Sequence, residues 1–130
     1  MTEAAPPADI LLREEADGIV TLTLNQPELR NPITELAMID ALVAAIEAAD
    51  RDIDVRVVIL TGAGKAFSTG GNIQMMRPGG GLTDPLPAAT RRNYRNGIQR
   101  LPLLFEAIEV PVIAAINGPA IGAGCDLTCM

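Results

Sequence analysis

Residues Leu36 to Ala49, "LAMIDALVAAIEAA", carry apolar side chains at a helical period and lie between two runs of a different kind. Leu36, Ile39, Leu42, Val43 and Ile46 fall on one helical face, with alanines filling much of the remainder. Before them, in "GIVTLTLN", Val20, Leu22 and Leu24 alternate with Thr21 and Thr23, the period of a strand with one buried face. After them, "VRVVILTG" is a short β-branched block suited to a strand buried between neighbours. A helix joining two such strands is a crossover, which makes the strands parallel and the connection right-handed. This arrangement commits the chain to an α/β layout.

The rest of the chain extends the pattern. "ILLREEADGIVTLTLN" reads as two strands joined by a turn at "ADG", followed by a breaker-rich loop, "NQPELRNP". Thr34 is placed to cap the helix, and Asp50 to Asp54 forms its polar exit. Past a short apolar patch from Ile73 to Met76, "RPGGGLTDPLPAAT" has no periodicity and reads as a mobile loop. A second helical stretch runs from about Thr90 to Glu109, with Gly97 and Pro102 expected to interrupt or kink it. "VPVIAAING" is read as a further buried strand, and a last helix starts within "PAIGAGCDLTCM". The order is strand, strand, helix, strand, helix, strand, helix, with no internal repeat.

Residues 10–130 form the one structured unit, preceded by a flexible N-terminal tail at 1–9. The tail, "MTEAAPPAD", is acidic and Pro-rich and lacks the apolar core of a secretory leader. No apolar run approaches the roughly 18–20 residues of a membrane span, so no membrane partner is expected. With 48% hydrophobic but only 2% aromatic residues and no Trp, the core must be built from aliphatic side chains, Ala and Met.

A formal charge of −6 argues against nucleic acid as a partner, since phosphate backbones are held by clustered Lys and Arg. It leaves open a small phosphorylated ligand held by a few basic groups and backbone N–H donors. The absence of His means that no Ser-His-Asp triad can be completed within these residues. Cys125 and Cys129 are two thiols without other soft ligands, a poor zinc site, so no metal is expected. They are read as buried free thiols of a reducing cytoplasm, sharing a face if their segment is helical.

Two segments, "LTGAGKAFSTGGNI" and "AINGPAIGAGCDL", follow the same rule. A buried strand ends, small residues follow, and a short helix starts. Each sets N–H groups beyond a strand's carboxyl end, where open α/β sheets bind ligands. A glycine turn can be only a turn. Two such turns side by side can also aim two N–H groups at one oxygen, the geometry of an oxyanion hole. Neither segment matches a dinucleotide or phosphate-loop motif; in "GAGKAF" the glycines stand too close together.

The order "NQPELRNPIT", "VRVVILTGAGKAFSTGGNI", "VPVIAAINGPAIGAGCDL" resembles the crotonase family, the enoyl-CoA hydratase/isomerase superfamily, from about Ile10 to Met130. The resemblance implies a crotonase-like (ClpP/crotonase) α/β core of repeated β-β-α units. It implies an acyl-CoA thioester as substrate, with CoA part of that substrate and no separate cofactor. The family polarises the thioester carbonyl with two backbone N–H groups and so stabilises an enolate. In this sequence those donors fall on Gly71 and Ala123. The family holds CoA with the regions corresponding to "LRNP" and "FSTGGNI", making Leu29, Arg30, Thr69, Gly71 and Ile73 the candidate binding residues. Lys65 either adds charge near a phosphate or is ordinary solvated surface.

Hydration of an enoyl thioester is assigned in this family to two carboxylates that position water and move a proton. The first position corresponds to Asp126, where hydratases usually carry Glu; Asp there also resembles dienoyl-CoA isomerases. Asp126 read without the resemblance is a helix-start carboxylate favoured by the helix dipole. The second carboxylate lies past Met130 in the family pattern. The chain is therefore expected to be the N-terminal half of a crotonase, truncated, whose complete form is a cytoplasmic trimer or hexamer. The other reading is a truncated CoA-binding module or an inactive fragment without turnover.

Overall fold

The computed structural model describes residues 9–130. The tail expected at 1–9 therefore lies outside the described residues apart from Asp9, whose carbonyl accepts a bond from Asn25 Nδ2 at 2.8 Å. The chain runs β1 (Leu11–Ala16), β2 (Ile19–Leu24), α1 (Leu36–Arg51), β3 (Val57–Gly62), α2 (Pro87–Asn96), α3 (Arg100–Ala107), β4 (Val112–Ala115) and α4 (Ala123–Leu127), with one 3-10 turn at Pro27–Leu29.

The four strands form one sheet in the order β1-β2-β3-β4. β1 and β2 are an antiparallel hairpin whose closing pair is Ala16 and Ile19. Its two turn residues, Asp17 and Gly18, both have positive φ, the backbone of a turn that follows strand twist. β2 pairs parallel with β3, Val20 opposite Val58 and Leu22 opposite Leu60. β3 pairs parallel with β4, Ile59 opposite Ile113. The crossover expected from the period of α1 is thus present, and a second one, through α2 and α3, joins β3 to β4.

Side-chain alternation puts Val20, Leu22, Leu24, Val58 and Leu60 on one face of the sheet, all buried. Against them stand Met38, Ile39, Leu42, Ile46 and Ala49 of α1, Leu101 and Leu104 of α3, and Phe67 and Leu127. Full burial of each such aliphatic side chain stabilises the fold by roughly 1.5–3 kcal/mol before entropy is counted.

Four local expectations are corrected. Thr34 does not cap α1, which starts at Leu36 with Glu35 at the cap position and no side-chain cap bond; the Thr34 hydroxyl accepts instead from the Asn72 N–H at 2.9 Å. Gly97 does end α2, but Pro102 breaks nothing. It is the third residue of α3, in the first turn, where its missing N–H would have had no helical partner. β4 is an edge strand of this sheet with alternating half-buried and exposed residues, not a buried one. Cys125 and Cys129 are exposed free thiols, and Cys129 lies past the end of α4.

The Gly/Pro-rich segment after Met76 folds back on itself. Leu82 is buried and its N–H donates to Met75 O at 3.0 Å. Thr83 Oγ1 donates to Met76 O, and Asn93 of α2 donates to the carbonyls of Gly81 and Leu82.

Candidate functional site

Beyond the carboxyl ends of β2, β3 and β4 the chain makes three loops, and two short parallel bridges stitch them together: Pro32 with Gly70, and Ser68 with Ala120. The glycine turns read from the sequence are therefore neighbours in space. Ile33 N donates to Gly70 O at 2.9 Å, and Ile121 N donates to Ser68 O at 3.0 Å.

The contact between the turns is close enough to exclude a side chain. Gly70 has φ +78, and a Cβ on it would lie 2.5 Å from Ile121 O and 2.8 Å from Ala123 N. Glycine is required both by conformation and by space. Among the described residues, neither the Gly71 nor the Ala123 N–H donates to a protein acceptor. Ala123 is the first residue of α4, where an N–H has no intrahelical partner.

Three polar side chains hold these loops, the first and third of them buried. Asn31 has positive φ and is fully buried; its Nδ2 donates to Ala63 O at 2.9 Å and Ala66 O at 3.0 Å, and its Oδ1 accepts from Gln26 N at 2.9 Å. Asn117 works from the other side, donating to Gly64 O and Ala66 O while its Oδ1 accepts from Gly62 N. Ser68, also fully buried, donates to Asn31 O at 2.7 Å and accepts from Gly70 N at 3.0 Å. The sequence reading passed over all three. The signal for the two asparagines was their place before a breaker, in "RNP" and "ING", since Asn both enters the left-handed region and bonds nearby backbone; Ser68 carried none.

Leu29, Arg30, Thr69, Gly71 and Ile73 line one open groove of about 440 Å³, together with Glu28, Pro32 and Asn72. A second groove of about 570 Å³ shares Glu28, Arg30 and Thr69 with it and adds Lys65 and Ile121. Lys65 thus faces the same trough as Arg30. Thr69 is fixed to Arg30 twice, through its N–H at 3.0 Å and its hydroxyl at 3.2 Å, both to the Arg30 carbonyl. Ala123 and Asp126 do not line these grooves. They border a smaller apolar one of about 140 Å³ with Ile33, Ile98, Leu101 and Met130. The five residues are therefore gathered in one groove and the two α4 residues in another. Asp126 is exposed, and its carboxylate makes no ion pair among the described residues.

Gly71 meets one more neighbour. A Cβ there would lie 2.7 Å from Met76 Cε, the tip of a flexible side chain.

Comparison with known proteins agrees with this architecture. The family described as enoyl-CoA hydratase/isomerase matches residues 14–130. The chain is 38% identical over 109 residues to the probable enoyl-CoA hydratase EchA14 of Mycobacterium tuberculosis, covering 84% of this chain and 40% of that protein. It is 32% identical over 118 residues to a crotonyl-CoA hydratase of Syntrophomonas wolfei, covering 90% of this chain and 42% of that one. Among solved structures, an enoyl-CoA hydratase/isomerase from Xanthobacter autotrophicus superposes with a TM-score of 0.78 at 32% identity, covering 91% of this chain and 42% of the other. The chain thus spans about 40% of the length of the curated relatives it matches. Its sheet with parallel crossovers has the crotonase-like fold of these neighbours. By the family match along its length and by the fold, the chain belongs to the enoyl-CoA hydratase/isomerase family of the crotonase superfamily.

Proposed function

We propose that this chain supplies the thioester-activating half of an acyl-CoA hydratase or isomerase. The observation that carries the reading is the packing of Gly70 against Ala123, with the neighbouring Gly71 and Ala123 N–H groups unused among the described residues. A thioester carbonyl oxygen accepting both N–H groups becomes a better electron sink. Removal of an α-proton, or addition of water at the β-carbon, then proceeds through an enolate whose charge the two donors stabilise. Small residues at 71 and 123 leave room for the oxygen to reach the backbone.

The groove along Leu29, Arg30, Thr69 and Ile73 is the path for the CoA part of the substrate. Arg30 and Lys65 are the cations bordering the joined trough that can meet phosphate. Asp126 follows Ala123 by three residues, one helical turn of α4. It orients a water or moves a proton at the carbons next to the polarised thioester. No separate cofactor takes part, and the complete protein works as a cytoplasmic homo-oligomer, a trimer or hexamer. The conjugated double bond of a 2-enoyl-CoA is either hydrated or shifted.

The test is loss of the conjugated enoyl-thioester absorbance of crotonyl-CoA on mixing with the full-length protein. Steady hydration supports a hydratase. Migration of the double bond in a longer enoyl-CoA, without hydration, supports an isomerase. No turnover of any acyl-CoA overturns the reading.

Coverage of about 40% of the relatives favours a second reading for these residues by themselves. They would hold CoA in the groove without turning substrate over. Calorimetric titration of residues 1–130 with an acyl-CoA, beside the same turnover assay, separates binding without turnover from both alternatives.

A further inference from the structure

We infer that Ser68 is the positioning residue that sets the spacing between the two N–H donors, an inference that rests on the oxyanion-hole reading of Gly71 and Ala123. Ser68 is fully buried, and its hydroxyl and its backbone groups are used on different loops of the site. Its hydroxyl donates to the Asn31 carbonyl at 2.7 Å. With the hydrogen committed there, the oxygen accepts from the Gly70 N–H at 3.0 Å. The Ser68 N–H donates to Pro119 O at 3.3 Å, and its carbonyl accepts from Ile121 N at 3.0 Å. One residue therefore ties the loop after β2, the turn that carries Gly71 and the turn that carries Ala123.

The consequence for the site follows from neighbouring peptides. Binding the Gly70 N–H inward fixes the Thr69–Gly70 peptide, and the Ile33 N–H on the Gly70 carbonyl holds the next one, which carries the Gly71 N–H; the Ser68 bond thus sets one of the two planes that decide where that N–H points. Anchoring Ile121 fixes the chain two residues before Ala123, where α4 starts. Gly124 then packs directly on the Ser68 carbonyl and Cβ, where any side chain would overlap. Without the hydroxyl, the Gly70 N–H is buried with no acceptor, and the turn relieves this by rotating its peptides. The Gly71 donor swings while the groove wall at Leu29 and Ile73, which does not touch Ser68's hydroxyl, stays where it was.

The test compares Ser68→Ala, Ser68→Cys and Ser68→Thr in the full-length protein. Alanine removes the acceptor; cysteine fills the space with a weak one and serves where alanine does not fold; threonine keeps the hydroxyl. Two readouts are taken. In amide NMR spectra, the Gly71 resonance is expected to move in the Ala or Cys variant and to return in Thr, with Ala123 less affected, because the Ser68 carbonyl still holds Ile121, and with Val58 in β3 unmoved. With an acyl-CoA substrate, kcat is expected to fall on the order of 10²-fold, the cost of a misplacement near 1 Å, with KM close to wild type and recovery in Thr. Resonances that stay in place in a folded Ala or Cys variant overturn the proposal. So does failure of Thr to restore what Ala and Cys lose. Absence of turnover in the wild-type protein would defeat the functional reading, and the amide resonances would still decide the role of Ser68.

Discussion

Gly70 and Asp126 make opposite kinds of claim at the scale of single residues. Gly70→Ala places a non-glycine residue at φ +78, a penalty on the order of 1 kcal/mol, and pushes a Cβ onto the Ile121 carbonyl. Thermal unfolding of Gly70→Ala is expected at a clearly lower midpoint than wild type; an unchanged midpoint would mean that the two turns are not held in contact. Asp126 is exposed and makes no ion pair among the described residues, so its side chain contributes little to the fold. Asp126→Asn keeps the shape and removes the base. Turnover in the full-length protein is expected to fall roughly 10²–10⁴-fold, the usual worth of a positioned acid or base, with CoA affinity nearly unchanged. Wild-type turnover in Asp126→Asn would return that residue to a helix-start carboxylate favoured by the dipole.

Elements were legible in the sequence where one periodicity dominated. α1 and the β2–β3 pair were visible because alternation and helical spacing switch cleanly at Asn25 and at Asp52. Pro102 was misread because its effect depends on register within a helix, and only the break at Gly97 restarts that register. The same reasoning gives a measurable contrast. Pro102→Ala leaves the first-turn bonding of α3 as it is, and urea unfolding is expected to shift by no more than about 0.5 kcal/mol, the range of a substitution away from packed features. Leu101, its fully buried neighbour, is expected to cost about 2–5 kcal/mol on truncation to Ala, the range for emptying a core site. Equal costs for the two would mean that Pro102 is packed as tightly as Leu101. The loop architecture was less legible. The glycines of the two turns announced themselves, whereas the side chains that aim them, Asn31, Ser68 and Asn117, are common polar residues whose partners lie far along the chain. The breaker after Asn31 and after Asn117 marks a turn, but which distant carbonyls the side chains meet is set by tertiary bonds that no local pattern records.

At the scale of the molecule the sheet has two unlike faces. One is closed by α1 and α3; the other carries Thr21, Thr23, Ile59 and Thr61 half buried, with Ile113 at 56% exposure on edge strand β4. Ile116 and Ile121, which follow Ile113 in the chain, are also more than half exposed. An edge strand with backbone groups unpaired among the described residues and with exposed Ile side chains is a template for pairing. Net charge opposes association only weakly here, because Val110 to Ala123 contains no charged residue. Residues 1–130 prepared alone are therefore expected to sediment above the 13.6 kDa of one chain. Ile113→Lys, which puts a charge on the exposed edge, is expected to shift the distribution toward the monomer without lowering the unfolding midpoint, since Ile113 is outside the core. A monodisperse wild-type monomer across the concentration range would show that the open face and edge are tolerated in water as they stand.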